Sequence, residues 1–374
     1  MIYLDNAATT KPNEEIIKLH QRISNEYWYN TNSIHTLGIK ANSLLEQSIN
    51  VVKESLKVKN KKVIYTLSAT SSNNLAIYGI CNAFLGQNKH IITSKIEHPS
   101  VLNCYKDLET KGFKVTYLSV DKNGIIDLNE LKSSITSDTV LISIMWVNNI
   151  IGSIQPIKEI INIVKQYPRI KFHLDAVGGL GKLKNDFSFE DIDLITFTPH
   201  KLHGLKGTGL LVLNNNINLI SNVKGGHQQY SFMPGTVDLP GAVCASKTVK
   251  DAILKIDEHY TYVEKLYNHL LNNLKTFDNI IINSPNNNYS IYVLNITFKN
   301  VKGETVVHFL EKHNIFVSTT SACNSSNKDL DKTLMATFND EQRTINAIRI
   351  SLSKDNTIEE INQFIKILKE VEKI

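Results

Sequence analysis

Between about Val63 and Leu213 the chain repeats one alternation. Short aliphatic and β-branched runs, VIYTL, HIITS, KVTYLSV, VLISIMWV, IKFHLDA and DLITFTP, are separated by longer amphipathic segments. Runs of this length suit strands buried on both faces, and the segments between them are long enough for crossover helices. The alternation therefore predicts an α/β fold built on a mainly parallel sheet. Such a sheet presents its strand C-termini at one edge, where ligands bind. Several runs end there in polar residues: Asn149, Asp175, and the pair His200 and Lys201.

From about Asp257 the pattern changes to a helix (DEHYTYVEKLYNHLLNNL), a strand-like YSIYVLNITF, a helix (ETVVHFLEKH), a strand (IFVST), a polar loop, a strand (AIRISL) and a last helix (IEEINQFIKILKEV). With 374 residues there is length for a large domain and a smaller one. We expect residues 15–256 to form a large α/β domain, and residues 257–374 with 1–14 a small α+β domain. The net charge of +5 comes from Lys and Arg interleaved with acids, without a basic tract, so nucleic acid is not an expected partner. The strongest apolar stretch, Val140 to Val147, is too short for a bilayer, and MIYLDNAATT lacks the features of a signal peptide. A cytoplasmic protein with no membrane partner is expected.

The four cysteines have neither zinc-site spacing nor disulfide-scaffold density. Cys81, Cys104 and Cys244 sit in apolar, helical-looking stretches and read as buried structural thiols. Cys323 lies among small polar residues, STTSACNSSNK, the composition of an exposed loop where a thiol can meet a reaction partner.

Lys201, in TFTPHKLHGLKGTG, follows a strand and precedes a glycine-rich turn. That placement suits a Schiff-base lysine projecting into a cleft, although an isolated PHK would equally suit a solvated lysine. Asp175 ends a strand, where its carboxylate could keep the pyridine nitrogen of pyridoxal 5′-phosphate (PLP) protonated, or could serve as a helix cap. In TLSATSSNNLAIYGI, Thr70 and Ser71 lie at a strand-to-helix junction. They could offer hydroxyls and backbone amides to a phosphate, or act simply as an N-cap. His98, in SKIEHPSV, could stack on a cofactor ring and move protons, or be a structural histidine. Arg349, within the apolar run AIRISLS, needs an anion, either a substrate carboxylate or an internal acid.

The segments YLDNAATT, NTNSIHTLG, SATSSNNLAI, EHPSV, VNNIIGSIQPI, FHLDAVGGLGK, HKLHGLKGTG, GGHQQ with PGT after it, STTSACNSS and IRISLS span nearly the whole chain. In order and spacing the chain resembles the cysteine desulfurases of the NifS and IscS type. These are PLP-dependent transferases of fold type I in the class V aminotransferase family. The resemblance implies conversion of L-cysteine to L-alanine, with sulfur carried as a persulfide on Cys323 to an acceptor protein, an iron-sulfur scaffold or a thiolation protein. It also implies a homodimer.

For PLP it implies Lys201 as the Schiff-base lysine, Asp175 on the ring nitrogen, His98 over the ring and Asn149 near the ring hydroxyl. The phosphate would be held by Thr70, Thr198 and His200, with Thr236 of the partner subunit. Arg349, with Asn30 nearby, would bind the substrate carboxylate. The chain departs from the family pattern at Gly178, where a glutamine is usual, at Met233 and Ile150, and at Tyr29 and Thr31. A selenocysteine lyase or another lyase or aminotransferase of the same fold, and a PLP-retaining scaffold without activity, are the alternatives.

Overall fold

The structure is a computed structural model and describes residues 1–319 and 330–371. After a two-residue strand β1 (Ile2–Tyr3), seven strands make the central sheet. They are β2 (Lys61–Thr66), β3 (His90–Ser94), β4 (Lys114–Leu118), β5 (Thr139–Met145), β6 (Lys171–Asp175), β7 (Leu194–Phe197) and β8 (Gly209–Asn214). Their order across the sheet is β2-β8-β7-β6-β5-β3-β4. The pairs β4/β3, β3/β5, β5/β6 and β6/β7 are parallel, whereas β8 runs antiparallel to both its neighbours. Six strands thus point one way, and the sheet is mainly parallel as the alternation predicts.

The side-chain alternation of the strands sorts two cores. Ile64, Ile91, Leu141, Leu194 and Leu211 pack with helices Ala69–Cys81 and Pro99–Thr110. Their neighbours Val63, Ile92, Ile142, Ile195 and Val212 pack on the opposite face with helices Thr36–Leu56 and Leu239–Leu254. Burial on both faces explains why the runs are apolar throughout.

The remaining strands are β9 (Ile280–Ile282), β10 (Val293–Phe298), β11 (Ile315–Phe316), β12 (Ser318–Thr319) and β13 (Ala347–Ser351). β12-β13-β10-β9 form an antiparallel sheet, while β11 pairs with β1 in parallel. The run IFVST, expected as one strand, is therefore two, because the chain changes hydrogen-bonding partner at Val317. Ile2 and Leu4 share a core with residues from Val263 to Val371, including Tyr267, Leu294, Ile348 and Phe364. Among the described residues no helix is long and apolar enough to cross a membrane.

Candidate active site

Because β2, β3, β5, β6 and β7 are co-directional, the polar residues that follow them converge on one edge of the sheet. Thr70, His98, Asn149, Asp175, Thr198, His200 and Lys201 line a single cavity of about 200 Å³. Between β3 and β5 the chain order reverses direction across the sheet, the kind of switch point at which a crevice opens.

Asp175 is the last residue of β6 and is buried. Its Oδ1 accepts a hydrogen bond from the Val177 N–H (3.0 Å), and its Oδ2 accepts one from Asn73 Nδ2 (2.9 Å). Both donors are neutral, so they orient the carboxylate without cancelling its charge. Asn73 also donates to Ser100 Oγ at 2.9 Å, which lies 2.8 Å from His98 Nδ1. The Ser100 backbone N–H reaches the same Nδ1 at 3.1 Å. A backbone N–H can only donate, so Nδ1 is an acceptor and neutral His98 carries its proton on Nε2. Burial, followed by the nearby Lys201 ammonium, lowers the His98 pKa against the opposing pull of Asp175. A chain of neutral groups thus connects Asp175 to His98.

Asn73 and Ser100 carry no signal of their own in the sequence, where only Thr70 and Ser71 stand out at this junction. Buried Asn73 points Nδ2 at a carboxylate and leaves its Oδ1 without a partner among the described residues. The N-cap of helix Ala69–Cys81 is Ser68, not Thr70 or Ser71: its backbone is extended and its Oγ accepts from the Ser71 N–H at 3.1 Å. Ser71 lines a different cleft, beside Ser221 and Met233, so the structure does not bring it to the cavity.

His200 closes another side of the cavity. Its Nδ1 lies 3.2 Å from Thr9 Oγ1, and burial, then Lys201, Lys206 and Lys182, push its pKa down to about 4. The Thr198 hydroxyl donates to the Thr208 carbonyl at 2.8 Å. Thr236 and Asn30 are exposed and lie outside this cavity. Cys323 lies outside the described residues. The nearest described residue before it, Thr319, pairs with Ile348, next to Arg349.

Arg349 is buried on β13 and does not line the cavity. Its Nη2 donates to Asp5 Oδ1 at 2.8 Å, so an internal acid meets the guanidinium, the local alternative that the sequence left open. Its Nη1 donates to the carbonyl of Asn149 at 3.1 Å, which joins it to the cavity wall. Ile150, where the family usually has glutamate, packs in a small apolar cluster with Ile151, Leu334 and Ala347, where a carboxylate would be costly.

Gly178 cannot simply accept the glutamine usual at its position. A Cβ there would lie 2.6 Å from the Val147 carbonyl oxygen and 3.0 Å from Val147 Cβ. Gly178→Gln is therefore expected to lower stability by about 1–3 kcal/mol in chemical denaturation. An undiminished unfolding midpoint would show that Val147 gives way easily.

The donor set suits PLP: a lysine, a buried carboxylate oriented by Asn73 and the Val177 N–H, a stackable histidine, and the N-terminus of a 13-residue helix for a phosphate. A family model described as Aminotransferase class-V matches residues 2–364. The NifS/IcsS protein homolog of Lactobacillus delbrueckii subsp. bulgaricus is 38% identical over 377 residues, covering 99% of this chain and 97% of its own. The cysteine desulfurase IscS of Dictyoglomus turgidum is 33% identical over 371 residues, covering 99% and 94%. A solved NifS-like protein matches with a TM-score of 0.93 at 33% identity, covering 100% of this chain and 99% of its own.

Proposed function

The chain belongs to the class-V aminotransferase family and is a cysteine desulfurase of its NifS and IscS type; we propose that it releases L-alanine from L-cysteine with PLP as cofactor and passes the sulfur through Cys323. The observation that carries this reading is the meeting of Lys201 with the carboxylate of Asp175, oriented by Asn73 and the Val177 N–H, in one cavity at the sheet edge. Cysteine-dependent alanine release by the purified protein tests it. A protein that binds PLP yet releases no alanine from cysteine is a scaffold instead.

Lys201 would hold PLP, Asp175 would accept the ring N–H, His98 would lie against the ring, and Asn149 would face the ring hydroxyl. The first turn of helix Ala69–Cys81 with Thr70, His200 and a turned Thr198 hydroxyl would hold the phosphate, together with Thr236 of the partner subunit. Bound there, PLP supplies an electron sink for the charge left when the substrate α-proton is removed. Lys201 Nζ takes that proton. His98, with its proton on Nε2, would donate or recover a proton at that atom. Cys323 as thiolate forms the new S–S bond while the substrate Cβ–S bond breaks, and the electron pair stays with the carbon that becomes the alanine methyl group.

Exposed Trp28, Ile34, Ile39, Leu67 and Tyr230 supply apolar surface that a homodimer would cover. The acceptor of the sulfur is an iron-sulfur scaffold or a thiolation protein in the cytoplasm. Arg349, with Asn30, would grip the substrate carboxylate. Arg349→Ala is expected to weaken cysteine binding by roughly 2–4 kcal/mol while PLP content stays near normal. Unchanged affinity in a folded variant makes Arg349 a structural ion-pair residue.

A further inference from the structure

Arg349 is held by backbone on both sides, since β13 pairs with β10 at Asn295 and with β12 at Ser318. Asp5 is anchored beside it: residue 5 bridges to Ser351, and the Ser351 N–H donates to the Leu4 carbonyl at 2.7 Å. The Asp5 side chain is the more open of the pair, 19% exposed against 8% for Arg349. Of the guanidinium nitrogens, Nη1 serves the Asn149 carbonyl and Nη2 serves Asp5, whereas Nε is buried with no partner among the described residues.

An unsatisfied charged donor in a buried site marks a place where a further acceptor oxygen belongs. A carboxylate arriving side-on would engage Nε and Nη2 together, two charge-assisted bonds where Asp5 makes one. It would also meet the Asp5 charge at short range, in a site where burial weakens screening.

We propose that Asp5 is a specificity-determining residue of the substrate site: an internal carboxylate that partly neutralises Arg349 and against which the substrate carboxylate competes. The proposal rests on the reading of Arg349 as the carboxylate-binding residue. Asp5 therefore sets how tightly a small amino acid is held, by lowering the share of Arg349 open to it. A ligand with an amide in place of the carboxylate does not meet this repulsion.

The test measures binding of L-alanine and L-alaninamide to the PLP-loaded protein by calorimetry, with thermal melting as the check on folding. Asp5→Asn keeps an acceptor oxygen for Nη2 and removes the charge. It is expected to tighten L-alanine about tenfold and to leave L-alaninamide unchanged. Unchanged or weaker L-alanine binding in folded Asp5→Asn overturns the proposal and makes Asp5 a residue that only orients Arg349. Equal tightening of both ligands also overturns it, because the effect is then not one of charge. If Asp5→Asn does not fold, Asp5→Ser is read by the same criteria. Arg349→Ala separates the two ideas: if that variant binds L-alanine as the wild type does, the reading of Arg349 fails, whatever Asp5→Asn does.

Discussion

Lys201→Ala is expected to remove cysteine-dependent alanine release by at least about 10⁴-fold, because one amine both holds the cofactor and moves the α-proton. The wild-type protein is expected to show a visible absorbance band, and borohydride should fix the chromophore on the peptide containing Lys201. The placement of this residue argues for it over its neighbour Lys206. Lys201 ends the short turn Pro199–Lys201 directly after β7 and lines the cavity that Asp175 also lines, and Lys206 does not line it. The Lys201 charge is already felt by His98 and His200, whose pKa values it helps to lower. Labelling at Lys206, or a variant that keeps its activity, would remove the cofactor assignment.

The residues of the site that were legible in the sequence share one property. Asp175, Lys201, His98 and Asn149 each follow an apolar run that reads as a strand, so parallel topology alone carries them to a common edge. Asn73 and Ser100 sit near the starts of helices, where a polar residue has an ordinary local explanation as a cap or solvated position. Only the three-dimensional meeting of two helix starts with the end of β6 gives them a different meaning. Asp5 and Arg349 lie 344 residues apart, and no periodicity relates them.

The same limit governs the fold. The direction of β8 is not written in GLLVLN, since a buried strand has the same composition in either direction. The division of IFVST between two partners is decided by β1 and β13, far away in sequence. The N-cap of helix Ala69–Cys81 fell on Ser68 because its extended backbone places Oγ at the Ser71 N–H, a geometry that a run of several hydroxyl and small residues leaves open.

Cys323→Ala is expected to lower alanine release from cysteine by about 10³-fold or more while PLP stays bound, because the thiolate that takes the sulfur is gone. The three described cysteines cannot take its place. Cys81 is fully buried, and burial raises its pKa. Burial likewise pushes Cys104 up to about 11 and Cys244 up to about 12, and each sulfur points its hydrogen at a backbone carbonyl, that of Ser100 or of Ile16. A thiol with a pKa near 11 is ionised to only about one part in 10⁴ at pH 7, and a buried one meets no substrate. Mass spectrometry of alkylated peptides should therefore find the persulfide on Cys323 and on none of the other three. Selenium leaves carbon more readily than sulfur does, so the variant is expected to retain alanine release from selenocysteine. A variant that desulfurates cysteine at the wild-type rate would remove Cys323 from the reaction and make the protein a lyase that needs no thiol nucleophile.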